Sequence, residues 1–199
     1  MLGRLSGLTE GADKRLSDEV LAAQASAGDR RAFGDLVRRH QDGVFRFVFR
    51  MVGSRDQAMD LTQDSFLKAW QALPGWRPEA RFRTWLLQIA RNASLDVLRR
   101  RSLADFVPID EAFELPGPGP TPESQAAAAQ DLRLLDAALR RLQADHREVL
   151  LLRELEGLSY EEIAAVLDVA EGTVKSRLGR ARAALLQAWK ERHGGHPND

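Results

Sequence analysis

The stretch GLSYEEIAAVLDVAEGTVKSRLGRARAALL at residues 157–186 decides the fold, because it predicts two helices joined by a short turn. Ser159 and Glu162 have the spacing of a capping box, in which hydroxyl and carboxylate each accept a hydrogen bond from a backbone N–H at a helix start. Leu158 and Ile163 stand where a hydrophobic staple would close that start. The apolar period then stops for about one turn and resumes. This pattern is typical of a helix-turn-helix.

The second predicted helix has one apolar face and one small, basic face. The apolar residues recur at the spacing of a single buried stripe, and they are Val174, Leu178, Ala181 and Leu185. The opposite face consists of Gly172, Ser176, Gly179, Arg180 and Ala183, with Lys175, Arg177 and Arg182 on its flanks. Small residues let a helix lie deep in a DNA groove, and basic side chains reach the phosphates. Arg180 and Ser176 are placed to contact base edges. The alternative is a basic, solvated helix in an ordinary helical bundle.

The chain has 199 residues and a net charge of zero, yet its charges are unevenly distributed. Residues 77–101 contain seven basic and two acidic residues, and residues 171–193 contain six basic and two acidic ones. Residues 102–136 contain seven acidic residues and one basic residue. Two basic blocks around an acidic spacer are expected of a protein that contacts nucleic acid with two separate surfaces.

The chain contains no cysteine, which excludes a disulfide framework, a thiolate metal site and a cysteine nucleophile. Its four histidines are isolated or lie in the Gly/Pro-containing C-terminal stretch, so we expect neither a metal site nor a cofactor. No apolar run approaches the length of a membrane span, and residues 1–15 lack the apolar core of a signal peptide. We therefore expect a cytoplasmic protein without membrane insertion.

The periodicity predicts an all-α protein of two small helical domains joined by a flexible linker, with the helix-turn-helix in the C-terminal domain. Residues 102–124 hold the dense proline and glycine cluster, which no helix is expected to cross. The predicted organisation is a flexible tail at 1–17, a domain at 18–101, the acidic linker at 102–124, a domain at 125–192 and a tail at 193–199. Helices are predicted at 18–27, 30–52, 54–73 and 82–101, and then at 125–143 and 144–155 before the helix-turn-helix.

The predicted helix at 54–73 starts with a second capping box, formed by Ser54 and Gln57. Its apolar side consists of Ala58, Leu61, Thr62, Phe66, Ala69 and Leu73, and its other side of Asp56, Asp60, Gln63, Asp64 and Leu67. An acidic strip with an apolar residue inside it suits docking onto a basic partner helix. Taken alone, such a strip is more often a solvated face.

The predicted helix at 82–101 is apolar on two sides, so both sides are expected to contact other groups. Before it, the loop LPGWRPEAR at 73–81 combines Trp76 with two arginines, and Phe82 and Arg83 follow directly. Aromatic rings beside cations bind single-stranded DNA, because bases stack on the rings and the cations neutralise the backbone. Anchoring in the core is the other interpretation for Trp76, Phe82 and Trp85, and we favour it for Trp85.

Three motifs together resemble the extracytoplasmic-function (ECF, group IV) sigma factors of the sigma-70 superfamily. They are DLTQDSFLKAW at 60–70, FRTWLLQIARNASLDVLRRR at 82–101 and LSYEEIAAVLDVAEGTVKSRLGRAR at 158–182. The resemblance implies a domain two that binds the β′ clamp helices of core RNA polymerase and melts the minus-10 element. It also implies a domain four that binds the β flap and the minus-35 element, and a regulatory anti-sigma factor as a further partner.

The resemblance also assigns residues by position. The polymerase-docking residues would be Asp60, Gln63 and Asp64. The minus-10 contacts would be Asn92 in a base pocket and Arg77, Arg81, Arg83 and Arg99 on the backbone. The minus-35 contacts would be Lys175, Ser176, Arg177, Arg180 and Arg182.

Two positions depart from the family pattern: Ala170 stands at the N-cap of the recognition helix, and Gly179 replaces a larger side chain. Each departure is expected to cost about 1 kcal/mol of helix stability.

The resemblance implies a protein without an active site, which opens DNA by binding exposed bases and phosphates better than the closed duplex. A polymerase-independent, two-domain helix-turn-helix regulator is the alternative, and it predicts tight operator binding without polymerase. A small helical enzyme would need titratable groups that converge in a pocket, and the sequence does not suggest any.

Overall fold

The computed structural model describes residues 16–77, 80–103 and 134–193, which are helical and contain no strand. We number the helices α1 (Asp18–Ser26), α2 (Arg30–Val52), α3 (Arg55–Ala72), α4 (Phe82–Leu103), α5 (134–141), α6 (Ala144–Leu150), α7 (Tyr160–Leu167) and α8 (Glu171–His193). A 3₁₀ turn (Leu73–Gly75) follows α3, and a π-helical segment (Leu151–Leu155) continues α6. The predicted all-α class with two helical domains is confirmed. The predicted linker and tails lie almost entirely outside the described residues.

Side-chain caps explain where several helices begin. Ser17, Asp29 and Ser54 each accept hydrogen bonds from backbone N–H groups in the first turns of α1, α2 and α3. Such caps satisfy donors that a helix cannot pair internally. The second predicted capping box is only half present, because Ser54 accepts from the Gln57 N–H while the Gln57 side chain instead accepts from Arg101.

Helices α1 to α4 form the first domain, in which α2 packs against α1, α3 and α4. Its core contains fully buried side chains from α2 and α4, including Leu36, Phe47, Met51, Phe82 and Leu86. Helix α2 ends at Gly53, whose φ of 79° lies in the left-handed region that glycine adopts without strain. The chain can therefore turn directly into α3.

Helices α5 to α8 form the second domain, where α8 packs against α6 and α7. The capping box and both residues of the staple are present at the start of α7: Ser159 accepts from the Glu162 N–H, the Glu162 carboxylate accepts from the Ser159 N–H, and Leu158 and Ile163 are buried. Helix α7 ends at Asp168, whose φ of 55° is left-handed. The chain changes direction there, and only two residues separate Asp168 from the start of α8 at Glu171. The predicted helix-turn-helix is confirmed.

The two domains lie against each other, and their buried side chains form one continuous hydrophobic cluster. Arg147 of α6 is buried and donates to the Met51 carbonyl at the end of α2 at 2.6 Å. Arg50 of α2 pairs with Asp136 of α5 at 3.0 Å, and both side chains are largely buried. The sequence did not predict this contact between the domains.

Candidate nucleic-acid and protein interfaces

The acidic strip of α3 consists of Asp60, Gln63 and Asp64, and all three side chains are exposed. The opposite side of α3 is buried, including Ala58 and Phe66, so the predicted helical phase is confirmed. The strip therefore lies on a rigid helix with its carboxylates toward solvent, where a partner can reach them.

An apolar groove of about 370 Å³ lies beside this strip. It is lined by Arg30, Phe33, Phe66, Leu67 and Trp70, and Leu67 is 55% exposed. The ring centroids of Phe33 and Trp70 are 4.9 Å apart. The sequence indicated only Leu67, because Phe33 is on another helix and nothing local connects it to α3.

The side of α8 that is predicted to enter the DNA groove is exposed. Val174, Leu178 and Ala181 are buried, while the exposed residues opposite them are Gly172, Ser176, Gly179, Arg180 and Ala183. The Ser176 hydroxyl donates to the Thr173 carbonyl at 2.9 Å. The exposed side of α8 therefore consists of small residues with the long side chain of Arg180 near its centre.

The basic residues on the flanks of α8 have different surroundings. Lys175 donates to Glu171 at 2.9 Å, and this hydrogen bond raises the pKa of the lysine. Arg182 donates to Glu154 at 2.7 Å, which raises the pKa of the arginine. Both pairs are exposed, so a phosphate can compete for either cation.

Arg177 differs from the other predicted minus-35 residues. Its side chain is 27% exposed, and its Nη1 lies 3.9 Å from the buried carboxylate of Glu148. Arg177 is therefore directed toward the domain contact rather than toward the exposed side of α8.

The predicted minus-10 residues lie on α4 and the loop before it. Arg77, Arg81, Asn92 and Arg99 are exposed, and Arg83 is half-buried. Arg99 pairs with Asp96 at 3.0 Å, and the Asn92 Oδ1 accepts from Arg91 at 3.2 Å. By helical phase, Arg99 lies on the same side of α4 as Asn92, whereas Arg83 lies roughly on the opposite side.

Three aromatic rings cluster where this loop meets α4. Ring centroids of Trp76, Phe82 and Trp85 are separated by 5.7 to 6.0 Å. Phe82 is fully buried, which confirms core anchoring for that ring, whereas Trp76 and Trp85 are partly exposed.

Trp76 and Trp85 line a cavity of about 360 Å³ whose wall includes Thr84, Gln88 and Ala165. The Thr84 hydroxyl is buried and has no hydrogen-bond partner. The sequence indicated the aromatic rings but missed Thr84, although a threonine inside an apolar stripe was the available signal. The sequence near Ala165 does not indicate that this residue of α7 forms part of the cavity wall.

Carboxylates of the second domain pair with the basic side of α4. Glu148 accepts two hydrogen bonds from Arg91, at 2.7 and 3.0 Å, and Glu156 accepts from Arg83. Glu162 lies 3.6 Å from Arg81. The sequence could not show these pairs, because each joins residues far apart in the chain.

The parts of the chain that the structure describes contain no group of three or more His, Cys, Asp or Glu side chains that could hold a metal ion. None of the described helices combines the length and apolar character that a membrane span requires.

Two family models match the chain: Sigma-70 region 2 over residues 36–103, and Sigma-70 region 4 over residues 132–185. The chain is 36% identical to the RNA polymerase sigma factor CnrH of Cupriavidus metallidurans over 186 residues, which cover 88% of this chain and 97% of CnrH. It is 39% identical to the ECF RNA polymerase sigma-E factor of Escherichia coli (strain K12) over 180 residues, which cover 86% of this chain and 94% of sigma-E.

Solved structures of such proteins also match. The structure of CnrH in complex with the cytosolic domain of CnrY has a TM-score of 0.66 and 34% identity, covering 85% of this chain and 95% of CnrH. The sigma factor RpoE in complex with the anti-sigma factor NepR from Bartonella quintana has a TM-score of 0.66 and 30% identity, covering 79% of this chain and 96% of RpoE. The chain therefore belongs to the ECF RNA polymerase sigma factors of the sigma-70 family, the proteins that direct promoter recognition in transcription initiation.

Proposed function

We propose that this sigma factor binds core RNA polymerase through the acidic strip of α3 and contacts promoter DNA with two further surfaces. The observation that carries the proposal is that one chain presents both an exposed acidic strip on α3 and an exposed, Arg180-centred side of a helix-turn-helix. A regulator that works without polymerase has no use for the strip. The residue assignments and the domain limits at 18–101 and 125–192 are part of this proposal.

For polymerase, the docking residues are Asp60, Gln63 and Asp64. Their carboxylates attract a basic helix, and Leu67 with the adjacent apolar groove supplies a surface that such a helix can bury. The charged strip would orient the partner helix, and burial of the apolar groove would contribute to the binding affinity. The family resemblance supports the β′ clamp helices as the partner.

For the minus-10 element, Asn92 hydrogen-bonds an extruded base while the backbone contacts come from Arg77, Arg81, Arg83 and Arg99. The exposed edges of Trp76 and Trp85 offer stacking surfaces nearby. Strand opening is then driven by binding unpaired bases and phosphates in preference to the duplex.

For the minus-35 element, α8 lies in the major groove and Arg180 and Ser176 reach base edges. Lys175 and Arg182 on the flanks bind phosphates. Arg177 contributes only after its guanidinium moves away from Glu148, because its Nη1 lies 3.9 Å from that carboxylate in the structure.

The same proposal makes the protein a binding subunit rather than an enzyme. All three surfaces recognise charge, shape or unpaired bases, and none of these roles requires a reacting group. A factor that accompanies RNA polymerase to genomic DNA acts in the cytoplasm. An anti-sigma factor is a further proposed partner, supported by the resemblance to RpoE in complex with NepR.

The docking role is tested with the double variant Asp60→Arg/Asp64→Arg. Both side chains are exposed, so the fold should persist while the charge of the strip reverses. Removing one partner of a charge pair that is buried in an interface typically costs about 2–5 kcal/mol, and reversal should cost at least as much. We expect pull-down of core polymerase to be abolished.

Glu19→Arg/Glu161→Arg is the matched control, because it makes the same charge change at exposed positions outside the strip. Equal recovery of polymerase by the strip variant and the control, both folded by circular dichroism, would remove the strip from the interface.

A further inference from the structure

A polar cavity of about 410 Å³ lies between α2, the start of α4 and the residue that follows the π-helical segment. Its wall includes three guanidiniums, those of Arg39, Arg46 and Arg83, and two carboxylates, those of Asp42 and Glu156. Of the residues assigned above to polymerase or DNA, only Arg83 lines it. The proposed function therefore leaves this cavity without a role.

Glu156 carries a buried carboxylate that is only half satisfied. Its side chain is 2% exposed, and its Oε2 accepts a hydrogen bond from Arg83. Its Oε1 has no hydrogen-bond partner in the described part of the chain. Buried polar atoms are nearly always paired, and a charged atom without a partner is the most costly to bury. The cavity wall therefore contains an acceptor that lacks a donor.

Arg46 carries the complementary group, a partly buried guanidinium without a hydrogen bond or ion pair to the residues that the structure describes. A Cβ on Gly43 would lie 3.6 Å from the Glu156 Oε2 and 4.0 Å from the Arg46 Nη2, so the two groups are no more than about 8 Å apart. Because glycine has no side chain, the space between them stays open. The other two guanidiniums of the wall already have carboxylate partners.

The charges of the wall select the kind of ligand. A metal cation is repelled, because three guanidiniums line the cavity and only one of its carboxylates is buried. A simple anion would approach Glu156 and leave its Oε1 without a donor. No Phe, Tyr or Trp side chain among the described residues lines the cavity, so a nucleotide base finds no stacking surface. The wall therefore favours a small zwitterion, whose anionic group binds a guanidinium and whose ammonium donates to the carboxylate.

An α-amino acid has these two groups at the required separation. Its carboxylate and its ammonium are about 3 Å apart, and a charge-assisted hydrogen bond adds about 2.8 Å at each end. Together they span the distance between Arg46 and Glu156. The remaining volume accommodates a side chain, since pockets of about 300–1,000 Å³ enclose ligands of drug size.

We propose that this cavity binds a free α-amino acid, with its carboxylate on Arg46 and its ammonium on the Glu156 Oε1. Arg46 belongs to α2 in the first domain and Glu156 to the second domain, so the ligand bridges the two domains and stabilises their contact. The stability of the folded chain then depends on the concentration of that amino acid. The inference goes beyond the proposed function and does not depend on its polymerase and DNA assignments.

Differential scanning calorimetry of the full chain, with each standard amino acid at up to about 10 mM, tests the proposal. We expect at least one amino acid to bind with a Kd of about 1 mM or below and to raise Tm by at least about 3 °C. Its α-amide lacks the carboxylate and its N-acetyl derivative lacks the ammonium, so each should raise Tm by less than about 1 °C.

Gly43→Leu tests the geometry, because the added side chain fills the space between Arg46 and Glu156 without changing any charge. Gly34→Leu is the matched control: it makes the same change on α2 outside the cavity, where a Cβ meets only the end of the Arg38 side chain.

Arg46→Met removes the partner of the ligand carboxylate, and Arg31→Met is its matched control at an exposed position of α2. Isothermal titration calorimetry with the amino acid identified above should show at least about tenfold weaker binding for Gly43→Leu and Arg46→Met, and a change within about twofold for the two controls.

Three results would each overturn the proposal. The first is that no standard amino acid raises Tm by more than about 1 °C. The second is that the α-amide or the N-acetyl derivative is as effective as the amino acid. The third is that Arg46→Met binds as tightly as Arg31→Met, a comparison that decides the matter even when Gly43→Leu does not fold.

Discussion

Replacing Arg147 with methionine should destabilise the whole molecule more than replacing any exposed arginine. The guanidinium donates to four backbone carbonyls, those of Met51, Leu139, Arg140 and Leu142, at 2.6 to 3.0 Å. These carbonyls lie at or near the ends of α2 and α5, where a helix leaves its last acceptors unpaired. Burial lowers the pKa of Arg147 to about 10, because the charged form is disfavoured away from water.

The expected loss follows from the acceptors that methionine leaves behind. Three of the four hydrogen bonds are buried, but the Leu139 carbonyl keeps the Leu142 N–H as a donor at 3.1 Å. The Met51 and Leu142 carbonyls lose the Arg147 donor, and each buried carbonyl without a donor costs about 1–3 kcal/mol. Methionine also removes the cost of keeping a positive charge buried. This gain offsets part of the loss from the unpaired carbonyls, so the lower end of the range applies. We expect Arg147→Met to lower the free energy of unfolding by about 2 kcal/mol.

Urea unfolding followed by circular dichroism measures this loss as a shift of the midpoint. Arg141→Met is the matched control, because Arg141 is 54% exposed and pairs with an exposed Glu191. Its loss should not exceed about 1 kcal/mol. A loss below about 1 kcal/mol for Arg147→Met would show that its carbonyls find other donors, and the reasoning would be refuted.

Three further predictions concern stability and promoter recognition. Gly179→Ala should raise the free energy of unfolding by about 1 kcal/mol, because an added methyl meets no atom within 4 Å and alanine favours a helix; urea unfolding measures it. Asn92→Ala should reduce open-complex formation by holoenzyme, seen by permanganate footprinting, while polymerase binding is kept. Arg180→Ala should cost about 1–3 kcal/mol in promoter binding and relax discrimination at one or two base pairs, whereas Arg182→Ala should weaken all promoters alike and reduce the salt slope by about one.

Each of these has a contradicting result. A destabilised Gly179→Ala would mean that the exposed side of α8 is crowded. Equal thymine reactivity for Asn92→Ala and wild type would remove Asn92 from the base pocket. If Arg182→Ala changes the ranking of single-base promoter variants while Arg180→Ala lowers every promoter alike, the side of α8 assigned to the groove is wrong.

Local patterns predicted the helices and their exposed sides. Helix α2 begins and ends at the predicted residues, and the buried stripe of α8 matches its periodicity. Both follow from rules that act within one or two turns, namely capping, glycine conformations and the 3.6-residue period. The three sequence motifs then identified the family, because their order and spacing are more specific than any one of them.

Contacts between distant segments could not be predicted from the sequence. Glu148 was assigned no role, because its partner Arg91 lies 57 residues away in the chain. The orientation of Arg177 toward Glu148 and the incomplete capping box at Ser54 have the same origin: in each case a tertiary partner replaces the local one. The groove beside α3 was missed for the related reason that two helices build it.

Run-off transcription tests the central claim most directly. Core RNA polymerase is incubated with a library of genomic fragments, with the wild-type chain, with the Asp60→Arg/Asp64→Arg variant, or alone. We predict discrete transcripts with the wild-type chain, and none with the variant or with polymerase alone. Transcripts that do not depend on the chain, or tight and specific binding of the chain to fragments without polymerase and without any new transcript, would contradict the account and favour a polymerase-independent regulator.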